Sequence, residues 1–144
     1  MGAAEVDARI RFQGSLKLEP DARAFARIRV SKPITCEPGD RFVIREAGRR
    51  TTIAGGCVLD VQPRRKSGDA AARLSSRAAA ARDDLPELVV KERGAVRADE
   101  SFMLTGSRAH GAALEIGDWL VDPELRSPGN GTPGHRAACV LVGD

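Results

Sequence analysis

From Val6 to Phe12 apolar and charged residues alternate without a break: Val6, Ala8, Ile10 and Phe12 on one side, Asp7, Arg9 and Arg11 on the other. A period of two is the signature of a half-buried antiparallel strand. It recurs from Arg23 to Val30, with Ala24, Ala26, Ile28 and Val30 facing one way and Arg23, Phe25, Arg27 and Arg29 the other. Pro20-Asp21 marks the turn before it, and Ser31-Lys32-Pro33 breaks the ladder because proline has no amide donor. Glu37-Pro38-Gly39-Asp40 is a further turn, proline fixing one φ and glycine supplying a positive one. Asp40 to Glu46 then reads as a strand, Ala47-Gly48-Arg49 as a tight turn, and Arg50 to Val61 as a long return strand. Gly55-Gly56 predicts a bulge or a close backbone approach within it. Short strands at this spacing predict an antiparallel barrel or sandwich.

Beyond Pro63 the pattern changes. Arg64-Arg65-Lys66 with Ser67-Gly68 reads as a basic linker, and Asp69 caps an Ala- and Arg-rich helix running to about Arg82. Asp84-Leu85-Pro86-Glu87 has the form of a capping box, with Gly94 ending that helix. A short helix is predicted from Arg97 to Thr105, stopped by Gly106. Leu114 to Asp122 reads as a hairpin turning at Gly117-Asp118. From Ser127 to Arg136 the chain is rich in Gly, Pro and Asn, and 126–144 is expected to be a flexible tail.

Composition excludes several classes. Aromatics make up 3% of the 144 residues, with no Tyr, too few for a multi-ring base-stacking platform. A net charge of +3 permits a polyanionic partner without demanding one. No apolar run approaches the ~20 residues of a membrane helix, so no membrane partner is expected. Three widely spaced cysteines suggest neither a disulfide framework nor a zinc site. A reducing, cytoplasmic setting fits.

The run Lys32-Pro33-Ile34-Thr35-Cys36-Glu37-Pro38-Gly39-Asp40-Arg41-Phe42-Val43-Ile44-Arg45-Glu46, followed by Arg49-Arg50-Thr51-Thr52-Ile53-Ala54-Gly55-Gly56-Cys57-Val58-Leu59-Asp60, resembles the third domain of elongation factor Tu-like translation factors. Its form is similar to that of the selenocysteine-specific elongation factor (SelB), whose barrel also ends in a Val-Leu-Asp strand running into a basic stretch and helices. Ala3 to Arg9 is similar to that family's early barrel strand, and Gly117 to Pro123 to a strand of its first winged-helix module. The resemblance implies a mainly β fold: a Tu-domain-3-like antiparallel barrel over 1–62, with its N-terminal strand missing. A basic linker and Ala-rich helix over 63–83 and a partial winged-helix unit over 84–125 follow. The stretch from Gly106 to Leu114 leaves little room for a recognition helix.

The same resemblance implies a tRNA-body contact, and selenocysteyl-tRNA and the ribosome as partners. The family's phosphate-approaching turn matches Arg45-Glu46-Ala47-Gly48-Arg49, with Ala47 where the family has glycine. Arg50 and the linker residues Arg64, Arg65 and Lys66 complete the RNA-binding candidates. The competing reading is a solvated hairpin tip and a solvated linker. Arg9, Arg11, Arg27 and Arg29 form an outward stripe that suits an RNA backbone; the favoured alternative is a polar barrel exterior with Asp7 and Glu19 nearby. No G-x-x-x-x-G-K-[ST] loop occurs in the chain, so neither GTP nor Mg²⁺ is expected here and a GTPase domain would come from another polypeptide. A homodimer through an open barrel edge is a further expectation.

Enzyme-like signals fall away. Gly129 to Gly134 fits G-x-G-x-x-G, but no strand precedes it and Pro133 blocks a following helix. His135 and Cys139 lack a third ligand, and His110 lacks a nucleophile partner. Asp83 and Asp84 suit helix caps, and Cys57 a buried apolar site. No catalytic or metal residues are expected. The alternatives to a tRNA-binding piece are a non-catalytic scaffold from another translation factor and a winged-helix nucleic-acid-binding regulator.

Overall fold

The computed structural model describes residues 3–13, 17–64 and 69–125, together with the backbone of 138–143. The alternating segments become β1 (Ala8–Phe12), β2 (Arg23–Val30), β3 (Arg41–Arg45) and β4 (Thr52–Asp60). β1 pairs antiparallel with β2, and β3 with β4. Turn chemistry sets the entries to these strands. Ala22 N–H donates to the Glu19 carbonyl at 3.1 Å, with Asp21 at φ 61°. Asp40 N–H donates to the Glu37 carbonyl at 3.1 Å, Gly39 sits at φ 97°, and the Asp40 carboxylate accepts the Glu37 N–H at 2.8 Å. The expected bulge at Gly55-Gly56 is absent, since these residues pair in regular register with Val43 and Phe42. The irregularities lie instead at Ile44/Arg45, beside the hairpin tip, and at Val58/Asp60, where β4 leaves the sheet.

The helical half starts with α1 (Ala70–Ala79), whose Asp69 cap accepts the Ala72 N–H at 3.0 Å. A 3₁₀ turn over Arg82–Asp84 runs directly into α2 (Leu85–Arg93). That continuity corrects the capping-box expectation: Asp84 takes helical angles and makes no cap bond, while Asp83 accepts from Ser107 Oγ at 2.7 Å. Then come β5 (Ala95–Arg97), α3 (Ala98–Thr105), β6 (Leu114–Ile116) and β7 (Trp119–Val121), the three strands ordered β5-β7-β6. Residues 107–113 contain no helix. Val89, Val90, Val96, Leu104 and Leu120 form the core of this unit, each at most 4% exposed, and Val61 packs against it from the end of β4.

The largest departure from expectation is at the C-terminus. Ala138–Gly143 is a strand, β8, rather than part of a flexible tail; residues 126–137 lie outside the described residues. The sheet order is β1-β2-β8-β4-β3, with β8 antiparallel to both neighbours. The unbroken apolar sequence from Ala138 to Val142 is what a strand paired on both sides carries. This strand takes a central place in the sheet, and the open edge expected from a missing N-terminal strand remains, at β1 and β3.

β1 and β3 are the sheet edges and do not pair with each other. The five strands are therefore an open antiparallel sheet and not the closed barrel expected, because closure needs the two edges to share a ladder. Ala26 and Ile28 are buried on the inner face, with Ile10, Phe12, Val30, Phe42, Ile44 and Ala54 packed half-buried around them. On the other face Phe25 packs against Leu59 and Leu74, which docks α1 onto the sheet.

Candidate RNA-backbone interface

The hairpin between β3 and β4 closes through Glu46 N–H donating to the Thr51 carbonyl at 2.9 Å and Arg49 N–H to the Glu46 carbonyl at 3.3 Å. Gly48 at φ 86° and Arg50 at φ 54° make the reversal. Arg45, Glu46, Ala47, Gly48, Arg49 and Arg50 are all exposed. Arg49 approaches Glu46 at 3.8 Å, with side-chain exposures of 78% and 48%, a pair that solvent screens to little value. The tip therefore offers two guanidinium groups, Arg45 and Arg50, outside any described ion pair, and a third that is weakly held.

The second basic surface is built by strand register. Arg9 stands directly opposite Arg29, and Arg11 opposite Arg27, on the outer face of β1 and β2. Among the described residues, none of the four arginines has a carboxylate within ion-pair distance, Asp7 and Glu19 included. Arg27 is half-buried. Its Nη2 donates to the Arg64 carbonyl at 2.9 Å, and its buried Nε has no partner. That bond ties the start of the basic linker to the stripe. Arg65 and Lys66 lie outside the described residues.

A third cluster escaped sequence reasoning. Asp60, 1% exposed at the end of β4, receives Arg73 Nη1 at 2.6 Å and lies 3.4 Å from Arg77 Nη1. Arg77 also donates Nε and Nη2 to Glu92 of α2 at 3.0 and 2.6 Å, and Nη1 to the Leu59 carbonyl at 3.2 Å. Arg93 bonds Glu100 at 2.8 Å and the Gln62 carbonyl at 3.3 Å; burial lowers its pKa, opposed by Glu100. Asp60, Arg73, Arg77, Glu92 and Arg93 line a cavity of about 470 Å³, together with Arg64 and Lys91. Two arginines one helical turn apart were the only sequence signal, since their carboxylate partners sit on other elements. Here charge is spent internally, clamping sheet to helices, which distinguishes this cluster from the uncompensated stripe.

One comparison with known proteins gives a match. Residues 1–65 fit the family model described as selenocysteine-specific elongation factor, beta-barrel domain. This segment is similar to a SelB β-barrel domain and is called the SelB domain below. It holds β1 to β4, the exposed hairpin tip and the arginine stripe, and ends at the basic linker. No curated protein and no solved structure matches the chain.

Around the SelB domain, the remaining candidates resolve into structural contacts. His110 Nδ1 pairs with Glu115. Burial and the Asp40 charge raise the Cys36 thiol above its usual range. Gly129 to His135 lie outside the described residues. No group of three metal-ligating side chains occurs among the described residues.

Proposed function

We propose that this chain contributes tRNA-body contacts in selenocysteine incorporation, holding selenocysteyl-tRNA on the ribosome through the Arg45–Arg50 tip and the arginine stripe. The observation that carries this reading is the pair of cross-strand contacts Arg9–Arg29 and Arg11–Arg27 on the SelB domain, without compensating carboxylates. Like charges directly opposite on a sheet destabilise it. A polyanion reverses the sign, because each neutralised phosphate releases condensed counterions. Guanidinium groups at regular strand spacing hold a backbone without reading bases, which suits binding to a tRNA body.

In this reading residues 3–64 supply RNA-backbone contacts rather than nucleotide chemistry, and they act in translation in the cytoplasm. No helix among the described residues is long and apolar enough to cross a membrane. Residues 84–125 act as a reduced winged-helix unit. With loop instead of helix over 107–113, it lacks the element that reads a major groove.

The test is fluorescence anisotropy with labelled selenocysteine tRNA and an ordinary elongator tRNA across a salt series. The expected result is tighter binding to selenocysteine tRNA, lost in Arg45→Ala/Arg49→Ala. In Arg9→Ala/Arg29→Ala the slope of log K against log salt should shallow by about 1.5–2. Equal, weak binding unaffected by either double variant would leave the chain as a scaffold, with its arginines a solvated face.

A further inference from the structure

The two hairpins of the SelB domain share no ladder. Phe42, Ile44 and Ala54 pack against Ala26 and Ile28, but the backbones of β1-β2 and β3-β4 are joined through β8, which pairs with Arg23–Ile28 on one side and with Gly55–Asp60 on the other. Without β8, the facing edges of β2 and β4 present two rows of backbone donors and acceptors across a gap one strand wide. Unpaired buried groups of this kind carry a penalty of about 1–3 kcal/mol each. The strand that fills the gap comes from beyond the helical unit, after residues 126–137, whose sequence includes Pro128, Gly129, Gly131, Pro133 and Gly134. The family match ends at residue 65 and does not include it.

We propose that residues 3–64 form a strand acceptor. The slot between β2 and β4 binds one extended apolar segment antiparallel to both, and the Ala138–Gly143 segment of a second copy of this chain is a ligand for it. Backbone hydrogen bonds on both flanks supply the affinity, as in other strand-addition complexes. The register names the contacts: Val140 lies opposite Ala26 and Val58, and Gly143 opposite Arg23 and Gly55. The bound segment would contribute no sheet edge of its own, because its donors and acceptors are used on both sides. Cis occupancy sets the competition. A strand tethered by a short connection has an effective concentration on the order of 1 mM, so the wild-type chain keeps its own strand against a dilute competitor. A chain whose own strand cannot pair should accept one in trans.

The experiment uses the full chain and a fluorescent peptide of residues 136–144 at about 10 μM, roughly a hundredfold below that effective concentration. Val140→Pro removes a donor from the middle of a strand paired on both sides, which a central strand does not tolerate. The expected result is at least tenfold more peptide bound by the Val140→Pro chain than by wild type. Hydrogen exchange should show protection returning to both β2 and β4 and unchanged at the edges β1 and β3. Amide protection in α2 reports whether the rest of the variant stays folded. Where it does not, Gly143→Pro, at the end of the strand, carries the same measurement with a smaller gain. Equal binding by wild type and variants would assign the peptide to the outer edges and overturn the proposal, as would binding by neither variant or protection of only one flank.

Discussion

The SelB sheet and the helical unit divide the molecule's resources in opposite ways. The sheet carries the recognisable sequence, yet among the described side chains only Ala26, Ile28 and Val58 are buried on its inner face, and it depends on a strand from beyond the helical unit. The helical unit lies outside the matched residues 1–65, yet Val89, Val90, Val96, Leu104 and Leu120 close its core from residues within one continuous stretch. The difference shows that the helical unit builds its core from local apolar contacts, whereas the sheet is completed by long-range strand pairing. Burial stabilises at about 25 cal/mol per Å², so the helical unit has more to lose from a single truncation.

The clamp between the two regions offers the strongest way to break this division. Arg77, with its side chain 2% exposed, sits between Asp60 of the sheet and Glu92 of α2. Arg77→Met leaves Asp60 and Glu92 with Arg73 as their remaining shared cation, and removing one partner of a buried ion pair costs about 3–5 kcal/mol. Urea unfolding followed by hydrogen exchange should show a lowered midpoint and separate opening of sheet and helices. An unchanged single transition would mean that Leu59, Leu74 and Phe25 couple the regions without the charges.

Truncations within each region sharpen the comparison next. Leu120→Ala empties a site that is 2% exposed and should cost about 2–5 kcal/mol. Phe42→Ala, at a half-buried sheet position, should cost about 1–2 kcal/mol, since less of its area leaves water. Thermal unfolding of the two variants side by side decides the point, and the reverse order would place the better core in the sheet.

Both hairpins were legible in the sequence because alternation and turn residues act over a few neighbours. Pro20-Asp21, Pro38-Gly39 and Ala47-Gly48 each stand where the chain turns. Helices α1 and α3 were legible for the same local reason, through Asp69 and Gly106. What stayed hidden was long-range. The apolar run at Ala138–Val142 was visible, but nothing local says that its neighbours are β2 and β4. Asp60 looked like the end of a motif, and its partners Arg73 and Arg77 are separated from it by the linker. The exposed tip around Arg49 was readable because a hairpin tip is local. The missing carboxylates along Arg9, Arg11, Arg27 and Arg29 became visible only with the strand register.

The smallest effect separates the regions by pH. Glu87 is held below its ordinary value of 4.5, first by its bond with Lys91, then by the Ala112 N–H. Asp99 is held below 3.8, first by the Glu100 N–H, then by Arg97. Both belong to the helical unit. A carboxyl whose folded pKa is depressed binds protons more readily when unfolded, so its stabilisation is complete above the unfolded value and is lost as pH falls through the folded one. Asp99 is exposed and Glu87 partly so, and the loss is correspondingly modest. On the sheet, the raised Cys36 thiol has the opposite sign: folding favours its neutral form, so stability falls as pH rises through the ordinary thiol value of 9.0. Hydrogen exchange in α2 should therefore speed up relative to β2 between about pH 5 and about pH 3, after correction for intrinsic exchange rates. Glu87→Gln should flatten that acid response in α2 while leaving β2 unchanged. An acid response that persists undiminished in the variant would assign it to groups other than the Glu87–Lys91 pair, and the contrast between the regions would then rest on packing alone.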